Sequence, residues 1–91
     1  MLRVRVKIYG LVQGVGFRYF IARLADTYGL NGWVRNAPDG SVEALFDGPE
    51  REVNFAIDAC RSGPASAEVE NVDVIPEKEI ASVNGFKILF E

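Results

Sequence analysis

Apolar and charged residues alternate from the second position onward: Leu2, Val4, Val6 and Ile8 stand between Arg3, Arg5 and Lys7. A period of two predicts a half-buried strand with its cations facing outward. The period then changes. Phe17, Phe20, Ile21, Leu24 and Tyr28 fall at i, i+3, i+4, i+7 and i+11, one face of a helix. Gly29 suits the left-handed position that ends it. Residues 32–36 (Gly-Trp-Val-Arg-Asn) read as a second strand and Pro38-Asp39-Gly40 as a turn. Val42, Ala44 and Phe46 alternate in a third strand, which completes a hairpin.

Pro49 fits the first position of a second helix, and Glu50 and Glu52 favour its positive end. Val53, Ala56, Ile57 and Cys60 give that helix an apolar stripe, and Gly63-Pro64 stop it. A longer strand follows over 67–75. Its apolar positions change phase between Ala67, Val69 and Val72, Val74, which predicts a bulge or bend near Asn71. Residues 76–84 read as a loop, and Phe86, Ile88 and Phe90 as a last strand. This order predicts an α+β, ferredoxin-like split βαβ sandwich: two helices on one face of an antiparallel sheet, with an added C-terminal strand. Such an arrangement hosts many activities, so function must be read from the site.

Length and composition narrow the classes. The 91 residues are expected to form one domain, 1–91. No apolar run approaches the ~20 residues needed to span a bilayer. Arg3, Arg5 and Lys7 interrupt any secretory leader at the start. A monomer in the cytoplasm, without membrane partners, is the expectation. Cys60 is the single cysteine, which excludes an internal disulfide, and its place on the apolar stripe argues against a nucleophile. There is no histidine, so the usual general base and the commonest metal ligand are both missing. No cofactor or metal is therefore expected.

The net charge of −3 is unevenly spread. Residues 1–38 carry six basic groups and one acid, and residues 39–91 carry four basic groups and twelve acids. An acidic protein repels nucleic acid, while a local positive site can still attract a small anion. RNA binding on the sheet face would need paired aromatics on the first and third strands. The outward positions there carry Arg3, Arg5, Lys7 and Glu43, Leu45, Asp47 instead.

The positive half contains the densest chemistry, Gly10-Leu-Val-Gln-Gly-Val-Gly-Phe-Arg18, at the corner from the first strand to the first helix. Glycines let successive N–H groups converge into an anion nest, and the helix start adds unpaired donors and a positive dipole end. Arg18, in the first helical turn, can match two phosphoryl oxygens with its planar fork. Any one of these features alone describes an ordinary turn. Their coincidence points to phosphate. A P-loop is excluded because Phe17-Arg18 follows the last glycine, and a dinucleotide fingerprint because Tyr19 stands where glycine is required.

These residues resemble the phosphate-cradle signature of the acylphosphatases, and residues 32–36 resemble that family's second signature. The likeness continues through "PDGSVEA", "DGP", "SGPASAEV" and "GFKI", so it covers nearly the whole chain. The resemblance implies hydrolysis of a small-molecule acyl phosphate to carboxylate and inorganic phosphate, the latter both product and inhibitor. It implies that Arg18 binds the phosphoryl group and Asn36 orients the attacking water. The backbone of Gln13, Gly14, Val15, Gly16, Phe17 and Arg18 would cradle the phosphate oxygens. One departure is Ala37, where many relatives carry threonine. The other reading of the same loop is a regulatory anion site without turnover.

Overall fold

The structure is a computed structural model that describes residues 1–78 and 83–90. Seven elements follow in the order β1 (Leu2–Leu11), α1 (Phe17–Tyr28), β2 (Asn31–Asn36), β3 (Val42–Gly48), α2 (Glu50–Ser62), β4 (Glu68–Pro76) and β5 (Phe86–Leu89). They match the order expected from periodicity. The strands form one sheet in the order β4-β1-β3-β2-β5. The first four strands pair antiparallel, as a split βαβ core requires. The added strand corrects the expectation of a wholly antiparallel sheet: β5 runs parallel to β2, from Gly32 opposite Phe86 to Arg35 opposite Leu89. The sheet is therefore mixed.

Burial explains why these segments take these forms. Val4, Val6 and Ile8 of β1 and Val34, Val42, Ala44 and Phe46 of the hairpin pack against Phe17, Ile21 and Ala25 of α1 and the Val53, Ala56, Ile57, Cys60 stripe of α2. Each valine, isoleucine or phenylalanine fully buried here contributes roughly 1.5–3 kcal/mol. Gly29 ends α1 in the left-handed region, its N–H returning to the carbonyls of Ala25 and Asp26. Pro49 lies one position earlier than expected. It is the cap of α2, with extended backbone, and Glu50 is the first helical residue.

The bulge expected near Asn71 is present. Tyr9 pairs with Asn71 and Gly10 with Val69, so Glu70 is the extra residue of β4. Two expectations need adjustment. Phe90 lies outside β5, and its exposed ring lies beneath the Arg18 guanidinium at 4.8 Å. Residues 79–82 of the expected 76–84 loop lie outside the described residues.

The face of β3 away from the helices is also buried. Asp47 faces Arg3 in register, and the pair meets at 3.5 Å with side chains only 8% and 10% exposed. Glu43 lies between Arg35 at 2.7 Å and Arg5 at 3.2 Å. The alternating cations of β1 are thus the counter-charges of β3. Hydrophobic patterning alone leaves this second layer out of view.

Candidate active site

The corner between β1 and α1 is built by two left-handed glycines, Gly14 at φ 75° and Gly16 at φ 80°. A Cβ added at either would meet nothing within 4 Å, so glycine is required there by backbone conformation and not by crowding. Gly16 is the N-cap of α1, yet no side chain caps the helix and its first turn carries no acid. The first intrahelical bond runs from Phe20 N–H to Gly16 C=O at 3.0 Å. The preceding N–H groups of Phe17, Arg18 and Tyr19 have no intrahelical acceptor and remain available to an anion.

A cavity of about 70 Å³ opens at this helix end, lined by Val12, Gly14, Gly16, Phe17, Arg18, Tyr19 and Asn36. Arg18 and Asn36, separated by eighteen positions, therefore reach the same cavity: Arg18 from the first turn of α1 and Asn36 from the last residue of β2. Both are half-buried. Arg18 donates from Nη1 to the carbonyl of Leu89 at 3.2 Å, and its guanidinium lies over Phe90. These contacts hold one side of the fork against the C-terminal segment. They tie the side chain to the residues that end β5 and follow it.

Further contacts hold the loop and hairpin. Gln13 donates from Nε2 to the carbonyls of Ala37 at 2.8 Å and Ser41 at 3.0 Å. Ser66 donates from Oγ to the Val15 carbonyl at 2.9 Å. In the β2–β3 turn, Asp39 accepts from the Ser41 N–H at 3.0 Å and from its hydroxyl at 2.6 Å. Lys7 reaches the other oxygen of Asp39 at 3.0 Å. These bonds, those of Ser41 foremost, hold the Asp39 carboxyl below its usual range, and the bond to Asp39 raises Lys7 above its own.

Val15 belongs to the loop but does not line the cavity, and Gln13 turns its side chain toward the hairpin. Sequence reading placed Gln13 in the cradle and did not anticipate its side-chain partners, which lie 24 and 28 positions away. Ser41, Ser66 and the Leu89 carbonyl were likewise missed. Pairing across such separations leaves no local signal. Cys60 is fully buried on α2, away from the cavity, and burial pushes its thiol up to about 12. A buried thiol held in its protonated form is a poor nucleophile at neutral pH. Among the described residues, no cluster of three or more His, Cys, Asp or Glu could hold a metal ion.

The chain is similar in sequence and fold to known proteins. A protein of Syntrophus aciditrophicus named acylphosphatase is 47% identical over 91 residues, covering 100% of this chain and 95% of its own length. One of the same name from Caldivirga maquilingensis is 47% identical over 91 residues, covering 99% of this chain and 96% of its own. The crystal structure of acylphosphatase from Bacillus subtilis superimposes with a TM-score of 0.93 at 38% identity, over 98% of this chain and 99% of that one. The sequence model of the family described as Acylphosphatase matches residues 4–88, and the chain belongs to that family.

Proposed function

We propose that the chain, acting as one domain, hydrolyses acyl phosphates by direct attack of water, with the phosphoryl group held at the N-terminus of α1. Acyl phosphate hydrolysis is the activity of the family to which the chain belongs. The observation that carries the assignment of roles is the shared cavity lined by Gly14, Gly16, Arg18 and Asn36. Uncapped N–H groups and the Arg18 fork are donors suited to a phosphoryl dianion. The Asn36 carboxamide can accept a hydrogen bond from water in the same cavity.

The chemistry asks for little more. Water oxygen forms a bond to phosphorus while the bond from phosphorus to the acyl oxygen breaks, and the carboxylate leaves with the electron pair. The water proton passes to a phosphate oxygen. Carboxylate is a good leaving group, so general acid help is dispensable, and catalysis consists of positioning and charge stabilisation. A chain without histidine can supply both. Inorganic phosphate, as product, presents the same oxygens to the cradle and acts as a competitive inhibitor in this reading. None of the helices described is long and apolar enough to cross a membrane. A monomer in the cytoplasm completes this reading, and a free, buried thiol is compatible with a reducing compartment.

The roles are separable by experiment. Phosphate affinity, measured by calorimetry, and turnover of benzoyl phosphate are compared in wild type, Arg18→Ala and Asn36→Ala. Arg18→Ala is expected to lose phosphate affinity, whereas Asn36→Ala is expected to lose turnover with phosphate affinity close to wild type. Equal loss of phosphate affinity in both variants overturns the water-orienting role of Asn36. Arg18-dependent phosphate binding without any hydrolysis identifies the regulatory anion site instead.

A further inference from the structure

We infer that the side chain of Gln13 is a positioning residue that fixes the distance between the phosphate cradle and Asn36. The inference rests on the water-orienting role given to Asn36 above. The carboxamide nitrogen has two N–H donors, and both are spent on main-chain carbonyls, those of Ala37 and Ser41. Because both partners are acceptors, the amide nitrogen and not its oxygen must face them. Gln13 therefore has no side-chain donor left for phosphate. Its work is directed at the hairpin.

The two carbonyls flank the residue that matters. Ala37 follows Asn36 directly, and Ser41 precedes Val42, the ladder partner of Asn36. Ala37 N–H also donates to the Ser41 carbonyl at 2.8 Å, so the turn end of the hairpin is closed by a small ring of bonds in which the Gln13 amide takes part. The backbone of Gln13 lies immediately before Gly14, which lines the cavity. One side chain thus joins the loop that holds phosphorus to the strand end that holds water.

In-line attack makes this junction consequential, because a misplacement of about 1 Å between reacting atoms can cost a factor on the order of 10². The side chain of residue 37 adds no hydrogen bond, since the alanine methyl cannot make one. The main chain beside Asn36 is therefore held from the loop side, by Gln13.

The test is Gln13→Met, which keeps the length of the side chain and removes both donors. Turnover and KM for benzoyl phosphate are read together with the inhibition constant of inorganic phosphate. The expected result is a kcat lowered about tenfold or more, with the phosphate inhibition constant unchanged within about threefold. If phosphate inhibition weakens in step with kcat, Gln13 only shapes the cradle, and the inference is overturned. Unchanged kcat overturns it as well. Should Gln13→Met fail to fold, the same split is read in Gln13→Asn, whose amide is one carbon too short to span both carbonyls. Normal kcat in the Gln13 variant beside lost turnover in Asn36→Ala removes the clamp alone. Retained turnover in Asn36→Ala removes the reading on which the clamp stands, and the clamp with it.

Discussion

At Arg18, charge and shape can be separated by a single substitution. Lysine keeps the positive charge but replaces a planar fork with a point charge. It also cannot donate to the Leu89 carbonyl and lie over Phe90 with a planar group as the guanidinium does. Loss of one preorganised transition-state donor costs about 2.7–4 kcal/mol, or roughly 10²–10³ in rate. Arg18→Lys is therefore expected to retain its fold and lose kcat on that scale, as measured with benzoyl phosphate and circular dichroism. Near-normal turnover would mean that charge alone suffices. As a candidate, Arg18 was legible in the sequence from its place behind the glycine corner at a helix start, whereas Asn36 was reached only through the resemblance of residues 32–36 to the family's second signature. The amide of Gln13 was not legible. Its acceptors are backbone carbonyls, which every residue possesses, and only the folded hairpin brings them within reach.

The elements themselves were legible wherever one face is apolar. The phase change between Val69 and Val72 disclosed the bulge in β4, because an extra residue must exchange inward and outward positions. The other half of that feature lies in β1. Gly10, at φ 129°, faces the bulge so closely that an added Cβ would press on the backbone carbonyl of Glu68 and lie 2.9 Å from the Glu70 nitrogen. Neither backbone atom can yield without breaking the ladder. Gly10→Ala is expected to cost more than about 2 kcal/mol, from the positive φ and the overpacking together. Gly40→Ala, also at positive φ but in open space, should cost less. Denaturant midpoints of the two variants check the order, and equal losses would show that φ alone decides. The parallel pairing of β5 with β2 was not legible, since no turn connects the two strands and four residues of alternation fit either direction.

Across the whole molecule, charge plays the part that hydrophobic patterning does not describe. The basic first half and acidic second half meet on one sheet face, where Arg3, Arg5 and Arg35 cover Asp47 and Glu43. Alternation gave the inward face of β1 directly, but the destination of its cations depended on strand order, which is a property of the complete sheet. The pair that ties this face to the candidate site is Lys7–Asp39, joining β1 to the turn after Asn36. Its pH dependence follows from the two shifts. Asp39 titrates below its ordinary 3.8 in the folded chain, so its stabilisation is present above that value and is lost as pH falls toward the folded pKa. Lys7 titrates above its ordinary 10.5, so its stabilisation is complete below that value and disappears as pH rises through the folded pKa. Both contributions coexist only between these limits. Asp39→Asn keeps an acceptor for Ser41 but removes the charge that Lys7 faces. The Tm difference between wild type and Asp39→Asn is thus expected to be greatest near neutral pH and to shrink toward both extremes. Because the pair is largely exposed, added salt should shrink it too. Thermal melts across pH at low and high salt provide the measurement. A difference that stays constant from acid to alkaline pH would assign the effect of Asp39 to the geometry of its turn, with the ion pair to Lys7 contributing nothing.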